Sequence, residues 1–401
     1  RARRPLAVAG PAPLARRLER RAILAALAAL GVPLYAEAAS QLAPGSSGEG
    51  TGPARLDGLA ACFGVAAVRA ALRPDLVLQL GSAPTVDGWE AAVERWCAAG
   101  DAEHVVLGDD AWPDPVSTAA WMVQGPPAAI LAALAAGAGE GALARDPRWL
   151  ETLGRWSDAG LRVAAEVTEV AADDGGAGRL GEPAAVRAVL EELPDRALLA
   201  LGNSLPIRTA EVFGPPGAGA RLVWSQRGAN GIDGLVSGVA GSLAAWEEGR
   251  GDGGALGVLV VGDVSLRHDL GGLAVLRHLG GARLLIALID NGGGRIFDQL
   301  PAHRLDLGER WRFWSTPDGV SWPALASTFG LDYHEAGDPA TVRAAMREWR
   351  AASGSALLRV TVDPESARLA AEELRRRLTA LAPGSAASAG PAESPGLSEP
   401  G

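Results

Sequence analysis

Two stretches of the chain are apolar without a break, LGVLVV at 256–261 and LLIALI at 284–289, and each leads into an aspartate. Continuity rather than alternation marks strands buried on both faces, as in a parallel sheet. Between them, residues 272–279 fit a crossover helix. The same rhythm of short apolar run and amphipathic segment recurs elsewhere. Strands are predicted at 5–10, 32–37, 76–80 and 103–110, with helices at 14–30, 59–72 and 90–99. A long helix follows at 147–172. Further on, strands are predicted at 197–204, at the start of 221–235, within 330–336 and at 356–362. Helices are predicted at 183–193, 205–213, 235–246, 321–329, 339–350 and 365–381. Such alternation implies parallel sheets flanked by helices.

Segments rich in Gly, Ser and Pro punctuate this pattern. SQLAPGSSGEGTG at 40–52 reads as a loop and DDGGAG at 173–178 as a linker. The organisation expected is a central α/β domain at 1–144, a linking helix and linker at 145–178, a second α/β domain at 179–383 and a disordered tail at 384–401.

Composition narrows the picture. Of 401 residues, 48% are hydrophobic and 21% charged, as in a globular protein with sizeable cores. The net charge of −10 argues against general nucleic-acid binding, and every cation other than histidine is an arginine. No apolar run reaches membrane-spanning length. Cys62 and Cys97 lack metal-site spacing and read as small core residues of a reducing compartment, which points to the cytoplasm. None of the five histidines falls in a metal-site or triad pattern; His268 lies in the segment that holds the main candidate site.

That site sits at the ends of the two unbroken strands, where open α/β sheets bind ligands. Asp263 offers a carboxylate, Asn291 an amide oxygen and the GGG at 292–294 a backbone carbonyl. These are hard oxygen ligands, suited to Mg²⁺ with a bound phosphate rather than to zinc. The Ser265 hydroxyl can serve that phosphate. Either glycine-rich turn alone would be an ordinary βα turn. Asp263 and Asn291, 28 positions apart with one helix between, together suggest a divalent cation holding a diphosphate. Arg208 stands four positions after Ser204, so both fall on one helix face.

Gly-Asp, a helix, and Asn after a second strand resemble the metal motif of thiamine-diphosphate enzymes. GDVSLRHDLGGL, DNGGGRIFDQLP, GNSLPIR and RGANGIDGL resemble, more narrowly, the MenD family, the 2-succinyl-5-enolpyruvyl-6-hydroxy-3-cyclohexene-1-carboxylate synthases of menaquinone biosynthesis. LGVPLYAEAASQL and RPDLVLQLGS resemble that family's central domain. The fold implied is two consecutive parallel-sheet α/β domains of thiamine-diphosphate-enzyme type, one central and one diphosphate-binding. The cofactors implied are thiamine diphosphate and Mg²⁺, or Mn²⁺ in its place. The reaction implied is decarboxylation of 2-oxoglutarate and addition of the succinyl unit to isochorismate.

Carried over residue by residue, the resemblance implies Asp263, Asn291 and Gly293 as metal ligands. The cofactor would meet Gly262, Asp263, Val264, Ser265, Asn291 and Gly293, with Ile232 beneath its bend and Ile296, Phe297 and Leu300 as an apolar wall. Ser204, Arg208 and Arg227 would bind substrate, the guanidiniums taking carboxylates in a bidentate way. Trp112, Asp114 and Pro115 match a structural turn of the family. Two departures stand out. Asp290 replaces the first of the family's paired asparagines and is an alternative ligand to Asn291. The loop at 84–88, where a basic residue is usual, has none.

The family's pyrimidine-binding domain, with its activating glutamate, is expected to lie outside these 401 residues, so no catalytic residue is assigned within them. The chain alone is expected to bind the metal–cofactor pair weakly and to be inactive. A homodimer or homotetramer with its site between subunits is implied. Two other functions stay open: another thiamine-diphosphate 2-oxoacid decarboxylase or synthase, and a non-catalytic cofactor-binding fragment.

Overall fold

The computed structural model describes residues 2–43, 52–109, 113–138, 146–172, 179–217, 222–227, 231–250, 253–317 and 319–382. Strands β1 (Pro5–Ala9), β2 (Leu34–Ala36), β3 (Leu76–Leu80), β4 (Glu103–Gly108) and β5 (Trp121–Gln124) form one parallel sheet in the order β2-β1-β3-β4-β5. Strands β6 (Ala197–Leu201), β7 (Leu222–Ser225), β8 (Leu256–Gly262), β9 (Arg283–Asp290), β10 (Asp332–Ala336) and β11 (Ala356–Thr361) form a second, in the order β10-β11-β9-β8-β6-β7. Every strand pair in both sheets is parallel. The expected class of two parallel-sheet α/β units is therefore the fold observed.

The unbroken apolar runs have a simple cause. Val258 and Val260 of β8 join Leu285, Ala287 and Ile289 of β9 in the core on one face of the sheet. Leu259 and Val261 join Leu284, Ile286 and Leu288 in the core on the other. With helices on both faces, every position is inside, and each such side chain contributes roughly 1.5–3 kcal/mol relative to exposure.

The helix Pro147–Ala172, predicted with these bounds, ties the two sheets together. Trp149, Leu153, Trp156, Val163 and Val167 are buried along one stripe. They share a core with Phe63, Trp89 and Trp96 of the first unit and with Phe213, Leu374 and Leu378 of the second. Gly160 allows the close approach: a Cβ there would lie 2.1 Å from the Gly58 carbonyl oxygen.

Four expectations are corrected. Residues 14–30 are not one helix; a 3₁₀ turn at Leu14–Leu18 precedes the helix Arg20–Ala29, and nothing in that turn is buried to extend it. Residues 59–72 divide at Gly64 into helices Leu59–Phe63 and Ala66–Ala71, because Val65 turns extended and is buried. The crossover after β8 is a helix at Asp263–His268 and a 3₁₀ helix at Leu270–His278. Asp269 breaks it, since its carboxylate is drawn to the Ser237 amide and hydroxyl. Finally, β5 and the helix Pro127–Gly137 were not expected: β5 is a largely exposed edge strand of only four residues, WMVQ. The other predicted elements agree except at their ends, and the short turns at Ala38–Ser40, Pro301–Arg304 and Gly308–Trp311 and the helix Arg312–Ser315 were not predicted. Trp112, the linker at 173–178, most of the loop at 40–52 and the tail at 384–401 lie outside the described residues. Asp114 of the expected turn is buried and accepts from the Ala119 amide. Among the described residues no helix is long and apolar enough to cross a membrane.

Candidate functional site

In the second sheet, β7 and β8 leave β6 on opposite sides. The loops after β6 and β8 therefore part at their C-terminal ends, which opens a crevice at the switch point. Gly262 of β8 pairs with Ile289 of β9, so Asp263 and Asn291 emerge side by side.

Asp263 begins the helix Asp263–His268 and is 3% exposed. Its Oδ1 accepts from the Val264 amide at 2.7 Å and its Oδ2 from the Gly293 amide at 2.7 Å. Gly293 has φ +127, and a Cβ there would lie 1.9 Å from the Ser315 carbonyl oxygen. The glycine is thus required by both conformation and space. Asn291 is buried; its Nδ2 donates to Glu182 Oε2 at 2.9 Å, and its Oδ1 is buried with no hydrogen-bond partner. An orphaned buried oxygen costs roughly 1–3 kcal/mol unless something binds it. Asp290 is engaged elsewhere, its Oδ2 accepting from Arg359 Nε at 2.8 Å and its Oδ1 from the Gly292 amide. Of the two alternatives at 290 and 291, Asn291 is the one with an unpartnered oxygen at the site.

A single hollow gathers most of the expected residues. Ser204, Ile232, Gly262, Asp263, Val264, Ser265, Asn291, Gly293, Ile296 and Phe297 line it, together with Glu182, Leu205 and Arg295. Ser204 adopts φ +74, ψ −132, a strained conformation for a residue with a side chain, worth roughly 1–3 kcal/mol. Three expected residues stand apart from this lining. Leu300 is 46% exposed, because the 3₁₀ turn Arg295–Gln299 carries it past the rim. Arg208 donates to the Ser204 carbonyl at 2.8 Å and lines an adjoining hollow with Leu205, Thr209 and Arg375. Arg227 donates to Asn203 Oδ1 at 3.4 Å. Burial and then the charge of Arg208 lower the Arg227 pKa, while the charge of Glu37 acts the other way. His268 is exposed and its Nδ1 contacts the Val264 carbonyl of its own helix.

The sequence did not disclose the acids. Glu182, first residue of the helix Glu182–Glu191, is 1% exposed, and burial pushes its carboxyl up to about 7. Glu37 is buried and its Oε1 accepts from the Thr85 amide, the Thr85 hydroxyl and the Val86 amide. The loop that lacks a basic residue is thus pinned by an acid. Glu211, from the second unit, accepts from the Tyr35 hydroxyl and the Ala38 amide of the first. A helix-opening Gly-Glu-Pro was the only hint of Glu182; nothing local marked the other two.

Comparison with known proteins adds to this geometry. No protein-family model matches the chain. A 2-succinyl-5-enolpyruvyl-6-hydroxy-3-cyclohexene-1-carboxylate synthase of Sorangium cellulosum is 37% identical over 396 residues, covering 95% of this chain and 61% of that protein. Synthases of the same name from Halobacterium salinarum and Myxococcus xanthus are 33% and 32% identical, covering 95% and 82% of the chain and 60% and 51% of their own lengths. The chain spans about three-fifths of the length of the first two. Among solved structures, benzoylformate decarboxylase from Polynucleobacter necessarius superimposes with a TM-score of 0.60 at 15% identity, over 91% of this chain and 62% of that one. That likeness is one of fold.

Proposed function

This chain belongs to the family of the 2-succinyl-5-enolpyruvyl-6-hydroxy-3-cyclohexene-1-carboxylate synthases, of whose length it spans about three-fifths, and we propose that it forms the cofactor-anchoring and substrate-carboxylate part of such a synthase's site. The proposed activity is decarboxylation of 2-oxoglutarate and addition of the succinyl unit to isochorismate, with thiamine diphosphate and Mg²⁺ or Mn²⁺. The observation that carries this reading is the Asn291 Oδ1, buried and without a partner beside Asp263 and Gly293. An oxygen-only set of carboxylate, amide and backbone carbonyl fits a hard divalent cation.

Asp263, Asn291 and Gly293 would hold that cation, and Val264 and Ser265 would meet the diphosphate. When bound, thiamine diphosphate supplies an electron sink that lets a 2-oxo acid lose carbon dioxide. Ile232 supports the cofactor's rings. Ile296 and Phe297 give the hollow an apolar side that would disfavour water near a reactive carbon. Arg208 and Arg227 receive the carboxylates of the two substrates, both dicarboxylic acids. Each disfavours the other's charge, so both gain from an anion bound nearby. The assembly proposed is a homodimer or homotetramer in the cytoplasm with sites between subunits.

Calorimetric titration of thiamine diphosphate into the chain tests this. Binding is expected with Mg²⁺ or Mn²⁺, and is expected to vanish with chelator or in Asp263→Ala. Binding indifferent to metal would overturn the reading.

A further inference from the structure

We infer that Glu182 is a positioning residue that aims Asn291 at the cation; this rests on the cation site proposed above. An asparagine side chain has a donating end and an accepting end of nearly equal size, so a 180° turn exchanges them. Only the accepting oxygen can bind a metal. Something must therefore fix which end faces the hollow.

Glu182 does so from the opposite side of the amide. Its Oε2 accepts from Asn291 Nδ2 at 2.9 Å, across 109 positions of sequence, and both side chains are buried. A carboxylate opposite the amide favours the NH₂ end facing it. The reversed amide would set two oxygens against each other. With Nδ2 held by Glu182, Oδ1 is left buried and unpartnered at the hollow. The backbone holds Glu182 in turn. It opens the helix Glu182–Glu191, and its amide donates to the Ser366 hydroxyl, itself bonded to the Asp363 carbonyl. Partners behind a ligand of this kind commonly change metal affinity by about 10–100-fold when removed.

The test is Mn²⁺ affinity of the chain, read by electron paramagnetic resonance in the presence of thiamine diphosphate. Glu182→Met keeps the volume and removes the acceptor. It is expected to weaken Mn²⁺ binding by about 10-fold or more. Glu182→Gln keeps an accepting oxygen and is expected to restore most of that loss. In an Asn291→Ala background, Glu182→Met is expected to change nothing further, because no amide remains to be aimed. The inference is overturned if Glu182→Met binds Mn²⁺ like the parent, if Glu182→Gln is as weak as Glu182→Met, or if the loss persists in the Asn291→Ala background. A separate result, Asn291→Ala binding Mn²⁺ like the parent, would overturn the cation site itself and the inference with it. Melting of the metal-free variants identifies any that fail to fold. If Glu182→Met is among them, Glu182→Ala at the same position takes its place in each comparison.

Discussion

The Asp263 carboxylate accepts the Gly293 amide at 2.7 Å and so joins the loop after β8 to the loop after β9. The two strands already lie in register, Gly262 against Ile289. The added bond fixes the glycine loop over the strand end and brings its backbone to the hollow that Asp263 lines. One carboxylate thus has a structural duty and a proposed ligating one.

Gly293 is where that arrangement is most sensitive. Alanine there would meet the Ser315 carbonyl oxygen at 1.9 Å and would hold φ at +127. Gly293→Ala is expected to lose about 3 kcal/mol or more of unfolding free energy by urea denaturation. A variant as stable as the parent would show that the loop relaxes freely.

The contact between the two sheets should weaken as pH rises. Burial pushes Glu37 from 4.5 up to about 7; burial and then the charge of Glu37 push Glu211 from 4.5 up to about 8. Both pKa values are higher folded than unfolded, so folding takes up protons. Their contribution is full below about pH 4.5 and is lost as pH climbs through 7 and 8. Arg227 opposes the shift at Glu37. Because the three bonds to Glu37 fall on Oε1 alone, glutamine can keep them. Glu37→Gln is expected to be more stable than the parent at pH 8, by about 1–3 kcal/mol, with a flatter profile. Parallel stability–pH curves for the two proteins would contradict this.

The charge of Arg208 disfavours that of Arg227, and the two are the proposed substrate-carboxylate groups. Removing Arg227 should cost anion binding. Arg227→Leu is expected to weaken 2-oxoglutarate binding, measured by calorimetry with Mg²⁺ and thiamine diphosphate present, by about 10-fold or more. Its unfolding free energy should change little at pH 5, where Glu37 is protonated, and should fall as pH rises and the Glu37 carboxylate loses its neighbouring cation. Unaltered affinity would remove Arg227 from the substrate side.

That Asp263, Asn291 and Gly293 meet at one pair of strand ends was legible in the sequence, because adjacent strands deliver them to the same hollow. The unbroken runs at 256–261 and 284–289 gave those strands, and two-sided burial explains why. Other features depend on where distant side chains end. Glu182 reaches Asn291 from 109 positions away, and Arg359 takes the Asp290 carboxylate from 69. Neither meeting leaves a local pattern. Leu300 was expected as wall from the family resemblance alone, but the 3₁₀ turn Arg295–Gln299 carries it out to the rim, where it is exposed. The edge strand β5 was missed because its four residues, WMVQ, are too short a run to stand out as a strand.

The central claim is that Asn291, and not Asp290, completes a cation site with Asp263. Mn²⁺ affinity in the presence of thiamine diphosphate, compared between Asn291→Ala and Asp290→Asn, tests it most directly. The account predicts a loss of about 10-fold or more for Asn291→Ala, and a change within about 3-fold for Asp290→Asn, whose carboxylate belongs to Arg359. The reverse order, with Asp290→Asn the weaker binder, would contradict it.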